Sequence, residues 1–311
     1  MIVLNSIFPV FAIIFMGIVL KRIRLTQEVF LSAADRLIYY AFFPLLLFWK
    51  IGRSSTIEID WAFCGACISA VISIYGVSLV CIKIFKVGDF QAGTFSQSCI
   101  RFNTYIGIAI VMNAAGERGI LLFGVLIGFM IPLINVLSVA TLIWYSGKHY
   151  PSAQRNRILA RALFSNPLIL GCIAGIVYAY TVGRFPAFID NTFELAGSLT
   201  LPLALISIGG GLTFSGIQKH YPQALIASIL KLLVLPLTGY GFLTLFNVGG
   251  LSLFVGMIYF SLPTSSVIYI LSGQLNSDID LAYTSIVVST IFSAISMTVA
   301  LTGFKILAGG P

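Results

Sequence analysis

Residues 94–115 form an apolar run long enough to cross a bilayer, yet its middle reads Gln97-Ser98-Cys99-Ile100-Arg101-Phe102-Asn103-Thr104-Tyr105-Ile106-Gly107. A guanidinium, an amide and hydroxyls are costly at the depth of hydrocarbon, so this centre must face protein or water. A second run, 251–273, carries Ser261-Leu262-Pro263-Thr264-Ser265-Ser266 at its middle. Pro263 has no amide proton and its ring clashes with the preceding turn, so the helix is kinked or broken there. Two polar, interrupted helices at mid-membrane depth are the sequence mark of a transporter's binding site.

Composition fits a chain built of such helices. Of 311 residues, 59% are hydrophobic and 9% charged, with a mean hydropathy of +1.02, which predicts an all-α polytopic membrane protein. The net charge of +8 falls mostly in short loops between apolar runs, where Lys and Arg set orientation, so no nucleic-acid partner is implied. The run 2–20 has no basic residue before it and Lys21, Arg22 and Arg24 after it, the reverse of a secretory signal, and is expected to stay as a spanning helix. Cys64, Cys67, Cys81, Cys99 and Cys172 all lie inside apolar runs, so no disulfide framework can be read from them. Cys64-x-x-Cys67 lacks a second pair or a nearby His, and reads as two small buried residues rather than a metal or redox site. No cofactor is expected.

Runs of spanning length occur at 2–20, 31–52, 61–83, 94–115, 119–145, 163–182, 191–214, 221–246, 251–273 and 281–306, which predicts ten helices. Lys21, Arg22, Arg24, Lys83, Lys86, Lys148, Arg155, Arg157, Arg161 and Lys219 fall on one side, against Arg53, Arg118, Arg184 and Lys305 on the other. The first group is therefore cytoplasmic, and both termini are periplasmic. Residues 146–162, polar and basic, read as a cytoplasmic linker between two halves, 1–145 and 163–311. Sliding the chain on itself by 158 residues matches Pro9 with Pro167, Gly17 with Gly175, Pro44-Leu45 with Pro202-Leu203 and Gly52 with Gly210. A shift of 160 sets Asn103-Thr104 opposite Pro263-Thr264. Five helices per half is an odd number, so the second half enters the membrane upside down and the pattern is an inverted repeat.

Local signals agree with these boundaries. Asn166-Pro167 reads as an N-cap with proline in the first helical turn. Gly209-Gly210-Gly211 marks a close helix contact or a helix end. Lys231, before Leu232-Leu233-Val234-Leu235-Pro236, is either a snorkelling side chain or a charge offsetting the negative C-terminal end of a half-helix. At the two centres, Asn103, Thr104 and Tyr105, and Thr264, Ser265 and Ser266, offer caps and hydroxyls to the resuming half-helices, whose positive N-terminal ends favour an anion. Arg101 adds a full positive charge there; the alternative is an Arg paired across the bundle. Asn103 is the most central ligand donor, and its removal is expected to weaken binding more than folding.

Arg101-Phe102-Asn103-Thr104-Tyr105-Ile106-Gly107, the run from Lys231 to Pro236, the Pro-Leu-x-Leu of both halves and the segment 262–278 resemble the bacterial branch of the auxin efflux carrier family over nearly the whole chain. That family includes the plant PIN auxin exporters and bacterial carriers for dicarboxylates such as malate and malonate. The resemblance implies ten helices in two inverted repeats, with helices four and nine crossing at the substrate site. It implies a scaffold from 1–52 and 163–215 and a transport domain from 61–145 and 221–306 that moves elevator-fashion. It also implies a homodimer through helices 2 and 7, in the bacterial cytoplasmic (inner) membrane and its lipid. Carried onto this sequence, the crossing residues are Asn103 and Pro263. Together with the polar residues read above, the expected substrate-binding set is Arg101, Asn103, Thr104, Tyr105, Pro263, Thr264 and Ser265, with Lys231 and Asn135 in structural or gating roles. Many members carry a proline just after the fourth-helix crossing where this chain has Ile108-Ala109-Ile110, and the long cytoplasmic loop of the plant exporters is absent.

The expected activity is transport of a small organic anion, such as a carboxylate or dicarboxylate, by alternating access. A sodium- or proton-coupled symporter of the bile-acid type is the alternative, but it needs carboxylates deep in the membrane. Asp35, Glu117, Asp190, Glu194, Asp278 and Asp280 all read as near helix ends. A receptor or structural protein would not need polar centres duplicated in both repeats. Catalysis is not expected, because His149 and His220 fall in basic loops and no Ser or Cys has a base in reach. The orientation is directly testable: single cysteines at Ser152 and near Pro311 should label from opposite faces of intact cells. An impermeant reagent reaching both from outside refutes the ten-helix topology.

Overall fold

The computed structural model describes residues 2–54, 59–147, 157, 160, 166–213 and 217–307. Most of the linker expected at 146–162, with Ser152 and His149, and the residues around Pro311 lie outside the described residues. Among those described, every regular element is helical: α1 (Ile2–Arg22), α2 (Glu28–Leu37), α3 (Phe43–Gly52), α4 (Trp61–Ile84), α5 (Asp89–Ile100), α6 (Thr104–Tyr145), α7 (Pro167–Thr181), α8 (Ala187–Gly211), α9 (Ile217–Ile229), α10 (Leu235–Leu245), α11 (Gly250–Ser261), α12 (Ile268–Gln274) and α13 (Ile279–Leu307). Seven helical stretches are long and apolar enough to cross a membrane, one of them the 57 residues of Asp89–Tyr145. Their solvent-facing side chains include Phe8, Phe15, Val29, Trp61, Trp144, Leu195 and Leu237, all exposed. A surface of that kind suits hydrocarbon and not water, so the chain is a multi-pass membrane protein.

Proline and glycine set the irregularities. α2 passes into α3 through a π-helical turn, Ile38–Phe42, and α9 into α10 through another, Leu230–Val234. Each turn directly precedes a helix with proline in its first turn, Pro44 or Pro236, where the missing amide proton and the ring clash disturb the ladder. α6 holds one non-helical residue, Gly116, at φ 62°, ψ −156°, a backbone that only glycine adopts without strain. The runs 94–115 and 119–145, expected to be parted by a polar loop, thus abut at a single glycine. Asn166 caps α7 as expected, accepting from the amides of Leu168 at 3.0 Å and Ile169 at 3.4 Å.

The contacts divide the chain into two compact units: Met1–Asp60, Ile108–Ile131 and Leu163–Leu212 form the first, and Trp61–Gly107, Pro132–Ala162 and Thr213–Pro311 the second. In the first unit α1 packs on α8 and α3 on α7, each through glycine. A Cβ on Gly17 would strike the carbonyl of Ile206, and one on Gly175 would lie 3.0 Å from the carbonyl of Phe48. Gly17 and Gly175, and Phe48 and Ile206, are each 158 positions apart, so one shift relates both contacts. Gly209 abuts the carbonyl of Ile14, and α8 ends at Gly211, so the triple glycine serves as both contact and terminus. Trp49 packs against Gly197 of α8, and its indole Nε1–H donates to Asp190 at 2.6 Å.

The second unit buries Phe63, Phe95, Tyr259 and Phe260. Gly239 and Gly256 let α10 and α11 close on the rings of Phe260 and Phe63. Gly209→Ala should push α1 from α8 and cost about 1–3 kcal/mol by overpacking, while Gly76→Ala, where a Cβ meets nothing within 4 Å, should not. Melting curves of the two purified variants check this.

Candidate functional site

Both polar centres interrupt their helices, and the second unit brings the interruptions together. α5 ends at Ile100, Arg101 is extended at φ −70°, ψ 144°, and α6 starts at Thr104. α11 ends at Ser261, and helix resumes only at Ile268. The amide of Asn103 donates to the carbonyl of Pro263 at 2.9 Å, tying one break to the other. The amide of Thr264 donates to Ser289 Oγ of α13 at 3.2 Å. Asn103 Oδ1 accepts from the amides of Tyr105 and Ile106, both at 3.1 Å, so this side chain is the N-cap of α6. Its Nδ2 and the Oγ1 of Thr264 are buried without a hydrogen-bond partner among the described residues. Thr104, Tyr105, Ser265 and Ser266 are half-buried and form the accessible edge of the crossing.

The two breaks are not equivalent. After Pro263 the chain makes a turn in which Ser265 Oγ accepts from the amide of Val267 at 3.3 Å, and α12 spans only seven residues with no side-chain cap. The break before α6 resumes into the longer helix, 104–115 ahead of Gly116, so the larger helix dipole has its positive end there.

Arg101 is buried and turned onto its own unit: Nη2 donates to Asn135 Oδ1 at 2.8 Å and Nε to Ser138 Oγ at 3.2 Å. Asn135 and Ser138, both on α6, are thus among its acceptors. Phe102 stacks edge-on against Tyr259, centroids 4.8 Å apart. Sequence reasoning passed over the polar ladder behind the crossing. Thr94 Oγ1 meets Ser272 Oγ at 2.7 Å and Ser277 Oγ at 2.9 Å, and Gln97 Nε2 donates to Ser272 Oγ at 2.8 Å. A signal was present: Thr94, Gln97, Ser98 and Arg101 repeat at helical spacing in an apolar run, as do Ser285, Ser289 and Ser293 in α13.

Lys231 does not snorkel. It sits in the π-helical turn after α9 at 0% exposure, with Nζ unpartnered among the described residues and 5.8 Å from the centroid of Tyr259. Tyr259 lies in the last turn of α11 and Cys99, also beside Lys231, in the last turn of α5. Its Nζ therefore stands by the C-terminal ends of both first half-helices, where the dipoles are negative.

Other sequence expectations shift. The first unit holds a cavity of about 420 Å³ lined by Trp49, Lys50, Asn113, Glu194 and Pro202 among others, which the sequence did not announce. Lys50 there pairs with Glu117 at 3.1 Å and stands over the Trp49 ring. Because helix continues from Glu28 to Gly52 and α8 starts at Ala187, Asp35 and Glu194 stand inside their helices and not at the ends. Asp35 accepts from Ser207 Oγ, and both acids are exposed residues of the first unit. His220 is not in a loop: it is 3% exposed in the first turn of α9. No disulfide joins the five cysteines.

An all-helical multi-pass chain whose helices break in pairs at a buried polar crossing is built as a membrane transporter. The family described as "Membrane transport protein" matches residues 2–301, and the chain belongs to it, the auxin efflux carrier family that its sequence resembles. An uncharacterized transporter of Methanocaldococcus jannaschii is 26% identical over 227 residues, covering 72% of this chain and 71% of the relative. Another, of Methanothermobacter thermautotrophicus, is 29% identical over 151 residues, 48% of this chain and about half (49%) of the relative. Membership of a transporter family accords with a chain that is not an enzyme.

The cap on α6 changes what Asn103 variants should do. Asn103→Ala removes the capping oxygen and should lower stability by about 1 kcal/mol, whereas Asn103→Asp keeps it. Thermal unfolding of both variants beside the wild type checks the cap; equal melting temperatures for all three refute it.

Proposed function

We propose that the chain is a secondary carrier of a small organic anion, held where the interrupted stretches 101–103 and 262–267 cross. The observation that carries this reading is Asn103, whose oxygen is committed to capping α6 while its buried Nδ2 points a donor, at the positive end of that helix, with no protein partner among the described residues. Thr264, with its unpartnered hydroxyl, and the half-buried Thr104, Tyr105 and Ser265 complete a set of polar ligands. None of the chain's acidic residues falls within 90–116 or 249–277, which disfavours a cation. Arg101 contributes positive potential through its place beside the crossing, and Pro263 supplies the carbonyl that fixes it.

In this reading the chain has ten membrane helices in two inverted repeats, with α5 and the first part of α6 as the fourth and α11 with α12 as the ninth. The glycine contacts related by a single 158-residue shift support the repeat. Residues 1–52 and 163–215 act as scaffold and 61–145 and 221–306 as the moving domain, in a homodimer in the inner membrane with both termini periplasmic. In carriers of this build, half-helix C-terminal ends hold the coupling cation. Lys231 occupies that electrostatic position here, so the carrier runs without sodium.

A thermal-shift screen of the purified protein against small organic acids finds the ligand, because a compound that binds the native state raises its melting temperature. Carboxylates should shift it and neutral or cationic analogues should not, and replacing sodium by choline should leave the shift unchanged. Asn103→Ala and Asn103→Asp should both weaken binding about tenfold or more, since one hydrogen bond to a charged group is worth about 1.5–3 kcal/mol. Sodium-dependent binding, or wild-type affinity in both variants, refutes the proposal.

A further inference from the structure

The second unit gathers a different set of groups where three of its helices begin. His220 is in the first turn of α9, Asp278 caps α13 and Asp280 follows in the first turn of that helix. Their ligand atoms all lie within 4.8 Å of one another, and His220 and Asp278 are buried. His220 Nδ1 is 3.6 Å from Asp278 Oδ2, and Gln91, from the first turn of α5, places Nε2 at 3.2 Å from each. The other carboxylate oxygen, Asp278 Oδ1, accepts from the amide of Leu281 at 2.9 Å, which fixes the carboxylate's orientation.

From this geometry we propose that His220, Asp278 and Asp280 form a binding site for a late first-row divalent metal ion such as zinc. Two ligand atoms, each about 2.0–2.1 Å from zinc, stand roughly 3.3–3.4 Å apart at the tetrahedral angle. The 3.6 Å between His220 Nδ1 and Asp278 Oδ2 is close to that span and too long for a direct hydrogen bond. An ion between them takes the place of the Gln91 amide as their link, and Asp280, exposed and free to choose a rotamer, swings in as third ligand. Two carboxylates and a neutral imidazole balance the double charge. One imidazole nitrogen with two carboxylate oxygens suits zinc, cobalt or nickel, whereas calcium takes six to eight oxygens. Leu281 holds Asp278 from behind as an outer-shell partner does in metal sites. The bound ion would join the starts of α9 and α13, and so brace the helix that leads to Lys231. The site does not depend on which substrate the carrier moves.

The test is titration of the purified, tag-free full-length protein with ZnCl2 by calorimetry, and with CoCl2 followed by visible absorption. One saturable zinc site per chain, with the cobalt spectrum of a four-coordinate ion, is expected. Asp280→Asn changes an exposed residue, and Asp278→Asn keeps the helix cap, so both variants should fold; each should weaken zinc binding roughly tenfold or more. His149→Ala, which alters the chain's other histidine, should bind as the wild type. Absence of saturable binding, unchanged affinity in both Asp variants, loss in His149→Ala, or a preference for calcium or magnesium each overturns the assignment.

Discussion

The hydrogen bond from the amide of Asn103 to the carbonyl of Pro263 is the contact on which the second unit turns. In a membrane an unpaired backbone group costs several kcal/mol, and a helix broken at mid-depth exposes amides and carbonyls with no water to receive them. Here the broken ends serve one another. Asn103 donates to Pro263, the Asn103 side chain receives the two amides that start α6, and Ser289 receives the amide of Thr264. Proline is useful at 263 because it ends α11 without adding an amide of its own that would need a partner, and its carbonyl is left to the other strand of the crossing.

Around that contact the polar groups divide into those bound to protein and those left over. Arg101 is held by Asn135 and Ser138, and Gln97 by Ser272, so the long polar side chains ahead of the break are bound to other side chains of the unit. Lys231 makes no hydrogen bond among the described residues. Burying an ammonium with no hydrogen-bond acceptor is expensive, and it is sustained only where the surroundings are negative. The C-terminal ends of α5 and α11 are such a place, with the ring face of Tyr259 nearby. The π-helical turn carrying Lys231 adds a residue to the helix just ahead of Pro236, relieving the proline and re-aiming the lysine inward. One local distortion thus answers two needs.

The breaks were legible in the sequence because polar residues and proline stand out against hydrocarbon-matched runs, and the cap at Asn166 because Asn-Pro has a local mechanism. Hydropathy finds the apolar middle of a helix and is blind to its ends, which is why α5 and α8 begin earlier than their apolar runs, at Asp89 and Ala187. His220 was misplaced for the same reason: the stretch opening α9 is polar, so it reads as loop although it is helical and packed. The partner of Arg101 was not legible. Asn135 and Ser138 lie 34 and 37 residues further on, and only the return of the chain beyond Gly116 brings them near.

Asparagine at 103 answers a demand that few side chains meet. The first amides of α6 need an acceptor, and Ser, Thr, Asp and Asn all provide one at a helix start. In the proposed carrier, an anion held at the same point needs a donor. Aspartate caps well but offers no donor when ionised and repels the anion; a serine hydroxyl can donate one hydrogen bond, but from a shorter arm that the cap already orients. The carboxamide separates the two tasks onto two atoms, Oδ1 toward the helix and Nδ2 away from it. Because both atoms are fixed by the same planar group, the cap that stabilises α6 also aims the donor, and the rigidity needed for folding becomes the preorganisation that binding requires.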